Sequence, residues 1–416
     1  MEIFTDVQGK AGIDCGGFCE FCFYKNVNFK QLDSIGCRNC EPDQIGCSYC
    51  QNFIDRVSNE FKPLNLVMTD IKEKYYQKIL FQLFPNDLKI VVGGGADIFG
   101  YPELYELISM IKEKNALLHM GYTSGKPIKD EKMPENIVSL GVDEVSFSVF
   151  STNSDMRKKW MKDSTSDAAI LGLKMFCENI DLNASTVIIP GINDGDTLFE
   201  TCADLEEWGA KSFTLRRFAN YKYQGLILNQ KPIIKGVEPH SYLEFTDLVR
   251  EINNEFSFDV LGYPFYDPEN HGPFVTSKKS NQIYLKNLKK IDSEATILTS
   301  KLVEPFLKKI LGIIDPTNLV NVVGVDKEIA DLITHEDLMA VDLDELKTKV
   351  IIPGGAFVHD NYSTKLLSKD GKDRKLVRGP YVLTYPYEEG KHLTNKEELI
   401  NFELNALNSL IDTINS

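Results

Sequence analysis

Short apolar runs alternate with amphipathic stretches along the first two thirds of this chain. Leu88, Ile90, Val91 and Val92 form a run that ends in glycines, so residues 87–93 read as a buried strand. Comparable runs over 115–122, 142–150, 184–190, 212–218 and 258–263 read as further strands. Between them, apolar positions recur at helical spacing over 71–84, 102–114, 154–178 and 196–208. Repeated strand-then-helix units call for a parallel sheet, open or closed into a barrel. In such sheets the chemistry gathers at the C-terminal ends of the strands.

The rhythm changes over 267–292, where Pro268, Gly272, Pro273 and two lysine-bearing polar runs read as a linker or surface connection. Beyond it, strands are expected at 295–298, 319–325, 349–352, 354–358, 375–377 and 381–384. Helices are expected at 302–313 and 327–333, with a closing helix at 395–414. This is a second, mixed α/β unit of ordinary domain size, and no internal repeat is found.

Composition adds the setting. Hydrophobic residues at 43% and charged ones at 26% fit a soluble protein of 416 residues with a sizeable core. No apolar run reaches membrane-spanning length, and Met1 to Asp6 lacks the basic segment and apolar core of a secretory signal. The expected location is cytoplasmic, where thiols bind metals more readily than they form disulfides. A net charge of −15 argues against nucleic-acid or membrane partners and permits attraction to a basic protein segment.

Seven of the nine cysteines lie within the first fifty residues, in two clusters. Cys15-x3-Cys19-x2-Cys22 is followed by Phe23-Tyr24. Three thiolates at this spacing hold three corners of a four-iron cluster and leave the fourth iron open. S-adenosylmethionine (SAM) has the amine and carboxylate to chelate that iron, so the pattern points to a [4Fe-4S] cluster and to radical SAM chemistry. A structural zinc site is the competing reading. The second cluster, Cys37-x2-Cys40 and Cys47-x2-Cys50, makes a closed double knuckle. Zinc and one mononuclear iron satisfy four thiolates at about 2.3 Å equally well, and a second iron–sulfur cluster is the rival. Cys177 and Cys202 lie on expected helices and read as core.

Further candidates sit at strand ends. Gly93-Gly94-Gly95 closes the first apolar strand after the cysteines, where bare backbone can approach a ligand. Radical SAM enzymes use a similar glycine-rich strand end for the methionine moiety, with an acid directly after it. Here Ala96 stands before Asp97, which leaves the role of Asp97 open. Ser146 and Ser148 share one strand face and suit the SAM carboxylate or ribose. Arg216 or Arg217 suits the SAM carboxylate by guanidinium geometry. Tyr122 has three readings: lining the SAM pocket, occupying the open iron in its absence, or packing in the core.

Together these stretches resemble the methanogenesis marker 10 family of radical SAM enzymes. The likeness runs through Gly12 to Lys25, the four further cysteines, Gly93-Gly94-Gly95, Tyr101 to Leu104 and Gly121 to Lys126. It continues in Val187 to Gly195, Ile352-Pro353-Gly354 and Phe357 to Asp360. Residues 96–100 depart from the family pattern.

The resemblance implies an α/β chain with a partial (β/α)6 radical SAM barrel, an N-terminal four-cysteine metal insertion and a mixed α/β cobalamin-binding domain. The expected boundaries are a cluster loop at 1–30, the insertion at 31–60, the barrel at 61–280 and the C-terminal domain at 281–416. The implied activity is cobalamin-dependent C-methylation of an arginine of methyl-coenzyme M reductase to 5-methylarginine, with an electron donor as second partner. A deoxyadenosyl radical would take hydrogen from the arginine δ-carbon, and methylcobalamin would supply the methyl group. The Asp-x-His-x-x-Gly cobalamin signature is absent, so cobalamin is expected base-off and without a histidine ligand; Leu319, Val320 and Val322 are candidates to cover its lower face, with ordinary strand core the favoured reading residue by residue. Asp155 is a candidate for the substrate guanidinium. Two other readings stay open: a radical SAM peptide-modifying enzyme with an auxiliary iron–sulfur cluster and no cobalamin, and a non-catalytic metal scaffold.

Overall fold

The computed structural model describes residues 2–27, 54–81, 88–226, 231–380 and 396–416. The cysteines at 37, 40, 47 and 50 and the expected strand at 381–384 lie outside the described residues.

Seven strands build the first unit: β1 (Glu2–Asp6), β2 (Lys89–Gly93), β3 (Leu117–Thr123), β4 (Glu144–Ser148), β5 (Asp181–Ile188), β6 (Ser212–Arg217) and β7 (Asp259–Tyr263). They pair in chain order and all in parallel. Among the described residues β1 and β7 do not pair with each other, so the sheet stays open as a partial barrel. The connecting helices include α1 (Leu64–Phe81), α2 (Leu104–Lys112), α3 (Lys132–Ser139), α4 (Ser154–Trp160), α5 (Ser166–Asn179), α6 (Asp196–Trp208) and α7 (Tyr242–Glu255).

Side-chain alternation decides the two faces. Ile90 and Val92, Leu118 and Met120, Val145 and Phe147, and Phe213 and Leu215 enter one core with Leu107, Ile108, Leu173, Phe176, Leu205 and Phe245 of the helices. Each such side chain contributes roughly 1.5–3 kcal/mol on burial. The alternate positions, including His119, Ser146, Ser148, Asn183 and Arg216, therefore face the lumen. His119 Nε2 and Ser146 Oγ lie 2.8 Å apart there.

The second unit is a four-stranded parallel sheet in the order β11-β10-β8-β9. Its strands are β8 (Ala295–Ser300), β9 (Val320–Val325), β10 (Lys349–Ile352) and β11 (Lys375–Arg378). Helices α8 (Glu304–Ile314) and α11 (Lys396–Asn415) cover one face through Leu307, Ile310, Leu407 and Leu410. Helices α9 (His335–Met339) and α10 (Asp360–Leu367) cover the other through Leu338, Leu366 and Leu367. The chain passes over β8 between β9 and β10. That crossover makes a topological switch point, where doubly wound sheets open a crevice at their carboxyl ends.

Several elements differ from the sequence expectation, for local reasons. β1 was hidden because five residues flanked by the cysteine loop carry only Ile3 and Thr5 on the helix side. The expected single helix over 154–178 is two helices, broken where Lys162 adopts φ +58 and Asp163 turns inward to Arg157. Residues 354–358 form a loop held by Arg378, which donates to the carbonyls of Gly354, Ala356 and Val358. The expected helix at 327–333 shrinks to one 3-10 turn at Ala330–Leu332, followed by α9. The expected linker packs instead: Phe274, Val275 and Leu285 are buried with the second unit.

That packing carries a buried carboxylate. Glu403 on α11 accepts from the Val275 and Thr276 amides at 2.7 and 2.8 Å and from Thr276 Oγ1 at 2.7 Å. Burial pushes its carboxyl up to about 7, against the pull of those donors. A raised native value means the native state holds the proton more tightly. The stabilisation is then complete below the unfolded value of 4.5 and is lost as pH rises through 7. Across that window wild type should lose up to about 3 kcal/mol relative to Glu403→Gln, which cannot ionise. Urea midpoints at pH 5 and pH 8 check this; parallel pH profiles for the two proteins would contradict it.

Candidate functional site

The cluster loop leaves β1 at its C-terminal end, the end where the other strands also deliver their loops. Two consecutive glycines, Gly16 at φ +71 and Gly17 at φ +102, turn the backbone in a way L side chains resist. Cys15 Sγ lies 3.1 Å from the Gly12 amide, which donates to it. The three thiols sense one another electrostatically: Cys15 acts on Cys19, and both act on Cys22. Burial pushes Cys22 up to about 11 and raises Cys19, so metal binding must displace their protons. Among the described residues no three Cys, His, Asp or Glu groups are close enough to share a single ion. A four-iron cube takes one thiol per iron and does not need them so close. Three thiols within eight residues, near enough to act on one another, fit as ligands to three corners of such a cube.

The loop is docked from below by aromatic and polar contacts. Phe21 stacks on Phe150 at 4.9 Å and an interplanar angle of 10°. Glu20 donates its amide to the Trp160 carbonyl at 2.8 Å. Lys126, buried in the turn after β3, donates its Nζ to the carbonyls of Gly17 at 2.5 Å and Met161 at 3.1 Å. It also lies 3.7 Å from Cys19 Sγ. Beneath it, Arg157 and Asp163 form a buried ion pair at 2.7 and 3.0 Å. The guanidinium also donates to Val149 O and Ser124 O, each at 2.6 Å. Sequence reading missed Lys126 as a separate actor and missed the Arg157–Asp163 pair. Isolated charges on expected helices carry no spacing signal.

The predicted residues fall into four groups. Gly93 borders open space at the strand end, whereas a Cβ on Gly95 would lie 1.6 Å from the Arg56 carbonyl. Gly94 and Gly95 thus allow close backbone packing against the segments at Gln8 and Arg56. Asp97 is buried, and both its oxygens are engaged. It accepts from Phe99 N at 3.0 Å, Thr123 Oγ1 at 2.8 Å, Ser124 N at 2.6 Å and Ser124 Oγ at 2.5 Å. Burial raises its carboxyl while those donors lower it. Its geometry ties the β2 end to the turn after β3, so it positions that turn. Tyr122 and Arg216 do meet: Arg216 donates Nε to Tyr122 Oη at 3.1 Å and adds a second contact through Nη2. The guanidinium also lies 4.7 Å from the Tyr263 ring centroid. Ser146 and Ser148 line the lumen below.

The remaining candidates lie away from the lumen. Asp155 stands on the outer surface of α4 with its side chain 94% exposed. Val320 and Val322 are core residues under α8 and α11, and Leu319 packs against them. They do not offer a free apolar surface. Arg217 points away from the lumen, to Glu328 in the second unit. A cavity of about 610 Å³ lined by Lys89, Asp143, Glu144 and Asp181 opens at the opposite, N-terminal ends of the strands and gathers none of the predicted residues.

Residues 12–201 match the profile described as the Radical SAM superfamily. This stretch spans the cysteine loop, β2 to β5 and the lumen residues between them. Residues 12–201 form a radical SAM domain. No curated protein matches the chain. Among solved structures, a radical SAM methyltransferase from Sphaerobacter thermophilus is similar at 12% identity and TM-score 0.38, over 63% of this chain and 65% of that one. Streptococcus suis SuiB is similar at 12% identity and TM-score 0.41, over 68% of this chain and 55% of that one. TsrM from Kitasatospora setae follows at 12% identity and TM-score 0.31, over 51% and 35%. The chain thus spans less than two thirds of each of these three, and likeness at this level says nothing about substrate. The matched stretch includes the cysteine loop, the glycine-rich strand end and Tyr122, whereas Arg216 lies beyond it. None of the described helices is long and apolar enough to cross a membrane.

Proposed function

We propose that the chain is a cobalamin-dependent radical SAM methyltransferase that C-methylates an arginine side chain of methyl-coenzyme M reductase. The supporting observation is how the two sheets meet. Arg217, at the C-terminal end of β6, pairs with Glu328 just past β9. Glu328 N donates to Tyr223 O at 3.0 Å, and Lys327 Nζ donates to Lys222 O at 3.2 Å. The carboxyl end of the second sheet therefore abuts the carboxyl end of the barrel. A doubly wound sheet binds its ligands at that end, so a second cofactor held there would adjoin the lumen.

When bound, SAM on the cluster supplies a hydrogen-abstracting radical and cobalamin supplies the methyl group. The arginine δ-carbon needs such chemistry, because no protein base removes a proton from an unactivated methylene. The chain's own residues have simpler tasks. Cys15, Cys19 and Cys22 hold the cluster, and Arg216, held beside Tyr122, would pair with the SAM carboxylate. The lumen and the abutting sheet keep reactants together and water out. The four-cysteine segment would hold one mononuclear iron or zinc in a closed, structural site. The electron donor is the second partner.

Cobalamin binding tests this reading against a radical SAM peptide-modifying enzyme without cobalamin. Protein purified anaerobically with cobalamin should retain about one equivalent, with the absorption spectrum of the base-off form. A protein that holds its four-iron cluster but no cobalamin would contradict the proposal and favour the alternative.

A further inference from the structure

Lys126 presents a charge problem that the rest of the fold does not solve. Its side chain is buried, and an ammonium taken out of water needs an opposite charge nearby. The neighbouring buried cation, Arg157, has one in Asp163. Among the described residues no carboxylate lies within ion-pair distance of Lys126. Its Nζ meets two carbonyl oxygens, Gly17 O and Met161 O, and the Cys19 sulfur at 3.7 Å. The one group in reach that carries negative charge in the working state is the Cys19 thiolate and the cluster it ligates.

We propose that Lys126 is the buried counter-charge of the cluster, and that it favours the reduced state through its contact with Cys19. Reduction adds an electron to an already anionic centre. A fixed ammonium against a ligand sulfur stabilises the added charge more than the oxidised state, and a hydrogen bond to sulfur acts in the same direction. The fold supports this placement. Lys126 follows Gly125, at φ +76, and Thr165 Oγ1 donates to its carbonyl at 3.2 Å, so its backbone is pinned. The same side chain clamps the loop through Gly17 O, so charge and clamp must be separated by experiment. The inference rests on the loop holding a four-iron cluster.

Redox titration of the reconstituted protein, followed by the EPR signal of the reduced cluster, makes the separation. Lys126→Met removes charge and donor, Lys126→Gln keeps a donor without charge, and Lys126→Arg keeps both. At the wild-type midpoint the reduced-to-oxidised ratio should fall about tenfold in both neutral variants, a Coulomb effect discounted for screening. For a one-electron couple that is ~59 mV toward negative potential. Lys126→Arg should stay near wild type. Failure of both neutral variants to hold iron, while the arginine variant holds it, would support the same conclusion. Equal iron content with an unchanged midpoint in Lys126→Met would overturn it, as would an arginine variant as impaired as the neutral ones. If wild type itself shows no four-iron signal, the cluster assignment fails instead.

Discussion

Cys19→Ala should leave a folded protein that holds no four-iron cluster and forms no 5′-deoxyadenosine above the protein-free background. Three thiolates are the fewest that hold the cube while leaving one iron open, so losing one is not a graded change. Cys19 is the most constrained of the three. It packs against the apolar cluster of Phe150, Met161, Ile189 and Phe218 and lies against Lys126. Iron content, visible absorption and product chromatography after anaerobic reduction with SAM check the result. Deoxyadenosine formation near the wild-type rate would mean that the cluster is not held by this loop.

Asp163→Ala should be the most damaging substitution for stability in the barrel. Arg157 and Asp163 are 0% and 1% exposed, and Arg157 bridges the β4 end and the turn after β3. Removing the carboxylate strands a guanidinium in the interior, which costs about 3–5 kcal/mol. Replacing both residues by apolar ones of similar volume should cost less than Asp163→Ala alone, because no charge is left uncompensated. Chemical denaturation under anaerobic conditions measures both; a loss below about 1 kcal/mol for Asp163→Ala would show that water reaches the site.

Why some of this was readable and some not follows from the range of the interactions. The cysteine loop is local, because its spacing and glycines fall within a few residues, so it could be read without the strand that leads into it. The barrel strands β2 to β7 were legible because alternate positions enter one continuous helix-side core. β1 was not, since two helix-side residues make no pattern. Tyr122 and Arg216 were named separately as strand-end residues. Their meeting across the lumen depends on the curvature of the open sheet, which no local pattern records. The same holds for Arg157 with Asp163 and for Glu403 with Thr276. The role of Asp97, open in the sequence, is decided by partners from elsewhere in the chain: Thr123 and Ser124 donate to it beside the Phe99 amide.

The central claim is that radical and methyl-transfer chemistry meet on one arginine. The direct measurement is mass spectrometry of an arginine-containing reductase peptide incubated anaerobically with the reconstituted protein, reductant, SAM and methylcobalamin. The account predicts a peptide heavier by one methylene on an arginine side-chain carbon, together with 5′-deoxyadenosine and S-adenosylhomocysteine. Deoxyadenosine released beside an unmodified peptide, from protein that holds both its cluster and cobalamin, would contradict it.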